Sequence, residues 1–338
     1  MTAVLFVLCL VGIAGYLVTS GFHDAQNSVA VPVRTRALTP TAALRVCAAF
    51  NFIGVLTSGI FLAGYVRDWL ALPAGGVGLA ILAMALLAQV GWSLMTWYLR
   101  MPSSSTHAVI GGLLGAAWAA RAVGFSVPSP FTQSVNEFVL VPLLLVPLLI
   151  FVLAWALVFP LSSIAQNSYP RTVNRVSRHV MSVANSTISL FHGVQTGQRV
   201  FLFLTLALLG AGIAPHPMWD VLGIVVGALL LTFGTMLGGW RIGYTFAHRM
   251  VRVDPFRGAV AQGTTAFVFI LTQFFLNASI STSHIASTAV LGAGVNQRFS
   301  SVRGSVVAKV LLTWIATVPM CFGVAAVLFL AISPLLGA

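Results

Sequence analysis

Two short stretches hold the residue types best suited to chemistry. Pro102, Ser103, Ser104, Ser105, Thr106 and His107 form the first; Ser279, Ser281, Thr282, Ser283 and His284 echo it in the second half. Each follows a long apolar segment and runs into a helix of small residues, Ala108 to Gly115 in one case and Ile285 to Gly292 in the other. Hydroxyls placed where a helix begins bring side-chain oxygens and unpaired backbone N–H groups to one point. The helix dipole makes that point positive, so it suits an anion. A single copy is most simply a helix cap. Two copies with histidine in register favour an anion site shared between two repeats.

A second pair of stretches sits upstream of these. Gly21, His23, Asp24, Gln26 and Asn27 line up with Gly193, Gln195, Thr196, Gln198 and Arg199. Asp24 stands in an apolar setting with no Lys or Arg nearer than Arg34. An intramembrane acid is costly and by default a functional candidate. With Asn27 it offers oxygen ligands to a small hard cation, or it carries a proton. The competing possibility is that the first span ends near Thr19 and Asp24 caps the next segment at the surface.

His107, His192 and His284 next to Ser and Thr raise the idea of a hydrolase. A triad needs a base beside a nucleophile and an acid that orients the base. Asp24 has no repeat partner, and two pseudo-symmetric copies make a poor single nucleophile. These histidines are expected to lock the turns by hydrogen bonding, and the chain is not expected to be an enzyme. Cys9, Cys47 and Cys321 fall in apolar segments at unrelated spacings, which excludes a disulfide framework or a metal box. No metal site and no cofactor are expected.

The elements that position these residues must cross a bilayer. The chain has 338 residues, 59% hydrophobic and 7% charged, with a mean hydropathy of +1.00. Apolar runs of bilayer length recur from end to end, as in a helical bundle. The net charge of +12 comes from seventeen basic residues against five acids. The basic residues sit mainly between apolar runs, where they orient helices, so nucleic acid is excluded as a partner. The apolar stretch from Ala3 to Val18 has no basic leader and no small-residue cleavage site, and is expected to be a retained first span.

Taken in order, spans are expected over 2–19, 41–66, 78–99, 108–123 and 138–161, then over 180–214, 221–240, 258–277, 285–292 and 306–330. Residues 162–178, with Arg171, Arg175 and Arg178, read as a basic cytoplasmic linker. The fold class is therefore an all-α polytopic membrane protein. Residues 1–161 and 179–338 form two inverted-topology repeats of about five crossings each, with broken or re-entrant helices meeting near the midplane. If the Arg-rich loops near residues 34, 175, 250 and 300 face the cytoplasm, both termini lie outside. The two hydroxyl turns then approach the midplane from opposite faces.

In combination these residues resemble the inorganic phosphate transporter family of the PiT type. Gly21 to Asn27 is similar to its G-x-N-D-x-x-N signature, and Pro102 to His107 to its P-x-S-T-T-H element. His192, Gly193 and Gln198 match parts of H-G-x-N-D-A-Q, and Ser281 to His284 is similar to a second S-T-T-H. Gly234 to Thr245, Asp254 and Pro255, and Lys309 to Pro319 resemble the family's later spans, so the likeness covers nearly the whole chain.

The resemblance implies secondary transport of inorganic phosphate, also as a metal–phosphate complex, by symport and alternating access in the cell inner membrane. Carried over, Ser104, Ser105, Thr106, Ser281, Thr282 and Ser283 bind the oxyanion, assisted by Gln26 and Gln198. Asp24 and Asn27, with His23 and Thr196 at neighbouring motif positions, serve the coupling cation. The departures are Gln195 and Thr196 in place of the second N-D, His23 for the first Asn, Ala261 and Gln262 for A-E, and Ser279 for Pro. Fewer carboxylates point to H⁺ coupling or fewer Na⁺ ions. A sulfate or other oxyanion carrier, or a degenerate regulatory member, are the alternatives. A channel and a homo-oligomer are left open.

Overall fold

The computed structural model describes residues 1–61, 72–129, 131, 141–214, 216–245, 250–276, 281–295, 297 and 302–337. Several expectations fall outside them: the 67–68 loop, Pro130, the start of the 138–161 span, Pro215, His248, and the 277–280 and 298–301 stretches, which include Ser279.

The described residues fold into helices, joined by one isolated antiparallel bridge between Val251 and Val302. In the first half these are α1 (Thr2–Asp24), α2 (Gln26–Arg34), α3 (Pro40–Thr57), α4 (Gly76–Tyr98), α5 (Ser105–Ala122) and α6 (Val141–Ala165). In the second half they are α7 (Pro170–Gly210), α8 (Pro217–Leu237), α9 (Trp240–Tyr244), α10 (Pro255–Leu271), α11 (Thr282–Val295) and α12 (Gly304–Ile332). Among the described residues, seven segments are long and apolar enough to cross a membrane, the first of them α1 and α2 together.

Local chemistry sets the helix starts. Thr39 caps α3 through Ala42 N–H, with Pro40 as first helical residue. Asp254 caps α10 through Arg257 N–H at 2.9 Å, and its other oxygen meets the Arg257 guanidinium at 2.6 Å. The polar interruption expected after Thr19 remains helical: α1 runs on to Asp24 and α2 resumes after Ala25. Only residues 166–169 of the expected 162–178 linker lie between helices, since α6 runs to Ala165 and α7 starts at Pro170. At 41 residues α7 is about 60 Å long, twice the hydrocarbon thickness. Its basic end must project beyond the bilayer.

The halves pack reciprocally. The opening helix of each half lies against the second helix of the other (α1 on α8, α7 on α3), and α5 packs on α12 as α11 packs on α6. Glycines make the first pair of contacts possible. A Cβ on Gly21 would strike the Leu231 carbonyl, and one on Gly234 the Val18 carbonyl; in the mirror contact, Gly193 meets Asn51 backbone and Gly54 meets Leu190 backbone. Gly21 and Gly193, which open the two aligned motifs, therefore do the same packing work.

Two clusters make up most of the apolar interior. One cluster joins Leu5 to Leu17 of α1 with Leu79 to Ala88, Val109 to Ala120, Val200 to Ala207 and Phe329. The other joins Ala30 and Val31 with Ile150 to Val158, Met181 to Phe191, Ala259 to Phe269 and Ile285 to Ala293. Between them polar residues are buried: the polar members of Thr19 to Ser28, then Gln89, Ser93 and Thr96, Ser103 to His107, the polar members of His192 to Arg199, and Ser281 to His284. Large apolar side chains such as Leu148, Phe159, Val221, Phe233, Leu312 and Ile315 are exposed instead. A polar layer inside an apolar shell is what a bilayer solvent demands.

Candidate functional site: two half-helix tips on one carboxylate

The two hydroxyl turns begin α5 and α11 in the polar layer. Ser104 Oγ accepts the His107 backbone N–H at 3.2 Å, and Ser281 Oγ accepts that of His284 at 3.3 Å. The same cap, at the same register, starts both helices.

Helix α12 serves as a ruler for their directions. Its N-cap is Arg303, whose N–H donates to the Met250 carbonyl, and the turn that follows its end carries Leu336 toward Gly76. Helix α5 leads toward its far end, with Gly115 against Phe322 and Phe125 against Phe329; α11 leads toward its start, with Gly294 against Val251. The half-helices therefore diverge in opposite senses from tips that meet. The His107 and His284 ring centroids are 4.9 Å apart, and Trp314 of α12 stacks on His284 at 4.1 Å. Its indole N–H donates to the Pro102 carbonyl at 3.2 Å, so one side chain braces both tips.

Asp24 lies between the tips. Ser105 donates to its Oδ2 at 2.8 Å, and Ser283 donates to its Oδ1 at 3.0 Å. Asn27 Nδ2 donates to Ser283 Oγ at 3.1 Å and reaches Asp24 Oδ1 at 3.5 Å. Asp24 is 4% exposed, which removes the possibility that it caps a surface helix. Two imidazoles flank it, His23 Nδ1 at 3.7 Å and His192 Nε2 at 3.6 Å. The space beside Asp24, lined also by Thr282, Asn51 and Ser189, is too tight to hold a water molecule.

The other expected residues fall at varied places. Thr106 is buried beside Ser105. His107 and His284 hold their turns through the backbone N–H and not through the ring: Nδ1 of each ring has no hydrogen-bond partner among the described residues. His192 holds no turn either. Its Nδ1 meets Asn51 Oδ1 at 3.0 Å, and Asn51 in turn donates to Thr235 Oγ1 at 2.9 Å. His23, by contrast, does brace the first turn, with Nε2 at 3.2 Å from Thr96 and 3.3 Å from Ser103. Ser103, His23 and Asp24 thus follow the order of a hydrolase triad, but 3.7 Å is too long for the acid–imidazole hydrogen bond that a triad needs.

Gln26 is fully buried against Gly239 and Gly243. Gln198 and Thr196 are buried on α7, beyond His192. Neither these three nor Ser104 and Ser281, which serve as caps, are among the groups placed on Asp24. Sequence reasoning gave no site role to Thr96, Asn51 and Trp314, nor to Ser103 and Gln262 beyond their place in the motifs; Gln262 Nε2 donates to the Asn27 carbonyl at 3.2 Å. Buried polar residues inside otherwise apolar spans were the available signal.

Chemically, this arrangement offers converging hydroxyls, two helix N-termini and one carboxylate within reach of both. Hydroxyls and N-termini suit an oxyanion, and the carboxylate with Asn27 suits a cation or a proton.

Known proteins share the pattern. The model of the phosphate transporter family matches residues 20–173 and again residues 161–325. A probable low-affinity inorganic phosphate transporter of Bacillus subtilis is 31% identical over 324 residues, covering 94% of each chain. One from Rhizobium meliloti is 30% identical over 313 residues, covering 92% of each. A solved structure described as the sodium-dependent phosphate transporter has the same fold, with a TM-score of 0.76 at 18% identity over 98% of this chain and 99% of that one. These relatives are transporters and not enzymes. By two family matches that together span most of its length, and by relatives covered almost end to end, the chain belongs to the phosphate transporter family.

Proposed function

We propose that the chain is a symporter that moves inorganic phosphate by alternating access, coupled to protons. One observation carries this: Asp24 accepts hydrogen bonds from Ser105 and Ser283, one serine from each half-helix tip. The same hydroxyls, with Thr106, Thr282 and the tip N–H groups, are the donors that an oxyanion would take. Carboxylate and phosphate compete for them and repel each other. A cation or proton on Asp24 removes the repulsion and weakens its hold on both serines. Each ligand then favours binding of the other, which is the reciprocal coupling that symport requires. Gln26 and Gln198 are assigned to assist from farther off, and Ser104 and Ser281 to hold the turns.

The proton is favoured because Asp24 is, among the described residues, the buried carboxylate, and two imidazoles lie within 4 Å of it. Sodium is the second reading, favoured by Asn27, Ser105 and Ser283 around Asp24, an oxygen-rich set fit for a hard cation. The names of the relatives and of the solved structure support phosphate as substrate. Sulfate is the competitor, since hydroxyl donors read both tetrahedral oxyanions alike.

Arg36, Arg171, Arg175 and Arg178 line one basic hollow, and the 250 and 300 segments meet at the Val251–Val302 bridge. This supports placing the basic end in the cytoplasm and both termini outside the inner membrane. The matches to 20–173 and 161–325 support a division into repeats at 1–161 and 179–338.

The test is uptake into proteoliposomes at clamped membrane potential. An inward proton gradient should drive phosphate accumulation without Na⁺, and sulfate should compete weakly. Strict Na⁺ dependence would replace the proton, and stronger uptake of sulfate would replace phosphate.

A further inference from the structure

We propose that the basic hollow between α7 and the turn after α2 binds the headgroup of an anionic phospholipid. Arg36 comes from that turn, and Arg171, Arg175 and Arg178 come from α7, around a space of about 580 Å³. The spacing of the three on α7 puts them on one face of the helix. Asn174 and Ser182 add groups that can donate, and no carboxylate lines the space. Among the described residues, none of the four guanidiniums takes part in an ion pair. This site is separate from the polar layer and does not depend on the coupling ion.

Arginines at span ends orient helices whether or not they converge. Here two segments, one from each repeat, bring theirs to a single hollow. The turn that carries Arg36 is fixed: the Ala37 and Leu38 N–H groups donate to the Pro32 carbonyl at 2.8 and 3.3 Å, and Arg36 is held at φ 59°. Four like charges placed together repel one another, and an anion seated among them relieves that repulsion.

The height of the hollow identifies the occupant. His192 of α7 lies 3.6 Å from Asp24 and so marks the polar layer. At about 1.5 Å per residue, Ser182 is about 15 Å and Arg178 about 21 Å along α7 from that level. With the layer at the midplane, the first height is the edge of the hydrocarbon, about 15 Å out, and the second the outer limit of the headgroups, about 20–22 Å out. Anionic lipids attract basic residues at this level. Acyl chains have a seat on the membrane side: Val183, one turn from His179 of the lining and on the same face, is 67% exposed. A free phosphate ion would fill a small part of a space this large, which is the size of a small-molecule pocket, and would make no use of that apolar border.

The test follows the unfolding temperature of the full chain, purified in a neutral detergent, as phosphatidylglycerol is added. Phosphatidylglycerol should raise that temperature saturably, and phosphatidylcholine with the same acyl chains should not. Arg171→Gln, Arg175→Gln and Arg178→Gln should each weaken the titration midpoint about fivefold, and together about a hundredfold, the worth of one basic residue apiece at an anionic surface. Arg175→Lys should stay close to wild type. Arg252→Gln, which changes the net charge equally but lies outside the hollow, should titrate as wild type does. An equal response to both lipids, or equal weakening by Arg252→Gln and Arg175→Gln, would overturn the proposal. Inorganic phosphate in excess over the lipid should leave the midpoint where it is; a shift that the triple Gln variant lacks would assign the hollow to soluble phosphate and remove the lipid.

Discussion

Replacing Asp24 by Asn keeps the shape of the side chain and removes its charge. In the wild-type site two serine hydroxyls donate to that carboxylate, at 2.8 and 3.0 Å. A hydrogen bond to a charged partner is worth roughly 1 kcal/mol more than a neutral one. The oxyanion that recruits both hydroxyls without a coupling ion must therefore give up about 2 kcal/mol more in wild type than in Asp24→Asn, or roughly a 30-fold difference in affinity. Repulsion between carboxylate and phosphate adds to this. Equilibrium binding of radiolabelled phosphate to the purified protein, with the coupling cation withdrawn, measures it directly. Asp24→Asn should bind phosphate about 30-fold more tightly than wild type under those conditions, should gain nothing when the cation returns, and should exchange phosphate without accumulating it. Unchanged cation-free affinity together with concentrative uptake would refute the competition between Asp24 and substrate.

Three further outcomes are expected. Gly193→Ala places a methyl group on Asn51 backbone and should cost about 1–3 kcal/mol by overpacking, read as a lower unfolding temperature in detergent; Gly304→Ala, which meets nothing, is the control. Ser281→Ala removes a helix cap and should cost about 1 kcal/mol of stability with a modest rise in KM, whereas Ser283→Ala should raise KM far more for less stability. Single cysteines introduced at Asn174 and Gly124, in a chain freed of its own three, should label from opposite sides of the membrane, Asn174 from the cytoplasm. Labelling of both from one side would overturn the stated orientation.

Much of this site was legible in the sequence because it depends on local rules. Hydroxyls ahead of a small-residue helix predict a cap, and Ser104 and Ser281 are caps. Their recurrence with His107 and His284 in register predicted paired tips, and the tips meet. Asp24 stood out because an acid is expensive among apolar neighbours. What stayed hidden depends on tertiary contacts. Nothing within α7 says that His192 faces Asp24 across more than 160 intervening positions, or that Asn51 holds its other nitrogen. Asp24 contacts Ser105 of one tip and Ser283 of the other, which are not equivalent positions in the two turns, because one carboxylate cannot sit symmetrically between two repeats. The polar runs 21–30 and 162–178 read as breaks between spans, yet both are largely helical. Neighbouring helices bury the polar side chains of the first run, which hydropathy along the sequence does not record, whereas the second is the largely exposed joint between α6 and the basic start of α7.

The most direct measurement is an experimental structure of the protein with phosphate bound. Phosphate oxygens should lie within about 3 Å of Ser105 and Ser283 Oγ, between the tips of α5 and α11, with Asp24 released from at least one of the two serines. Phosphate bound elsewhere while Asp24 still holds both hydroxyls would contradict the account.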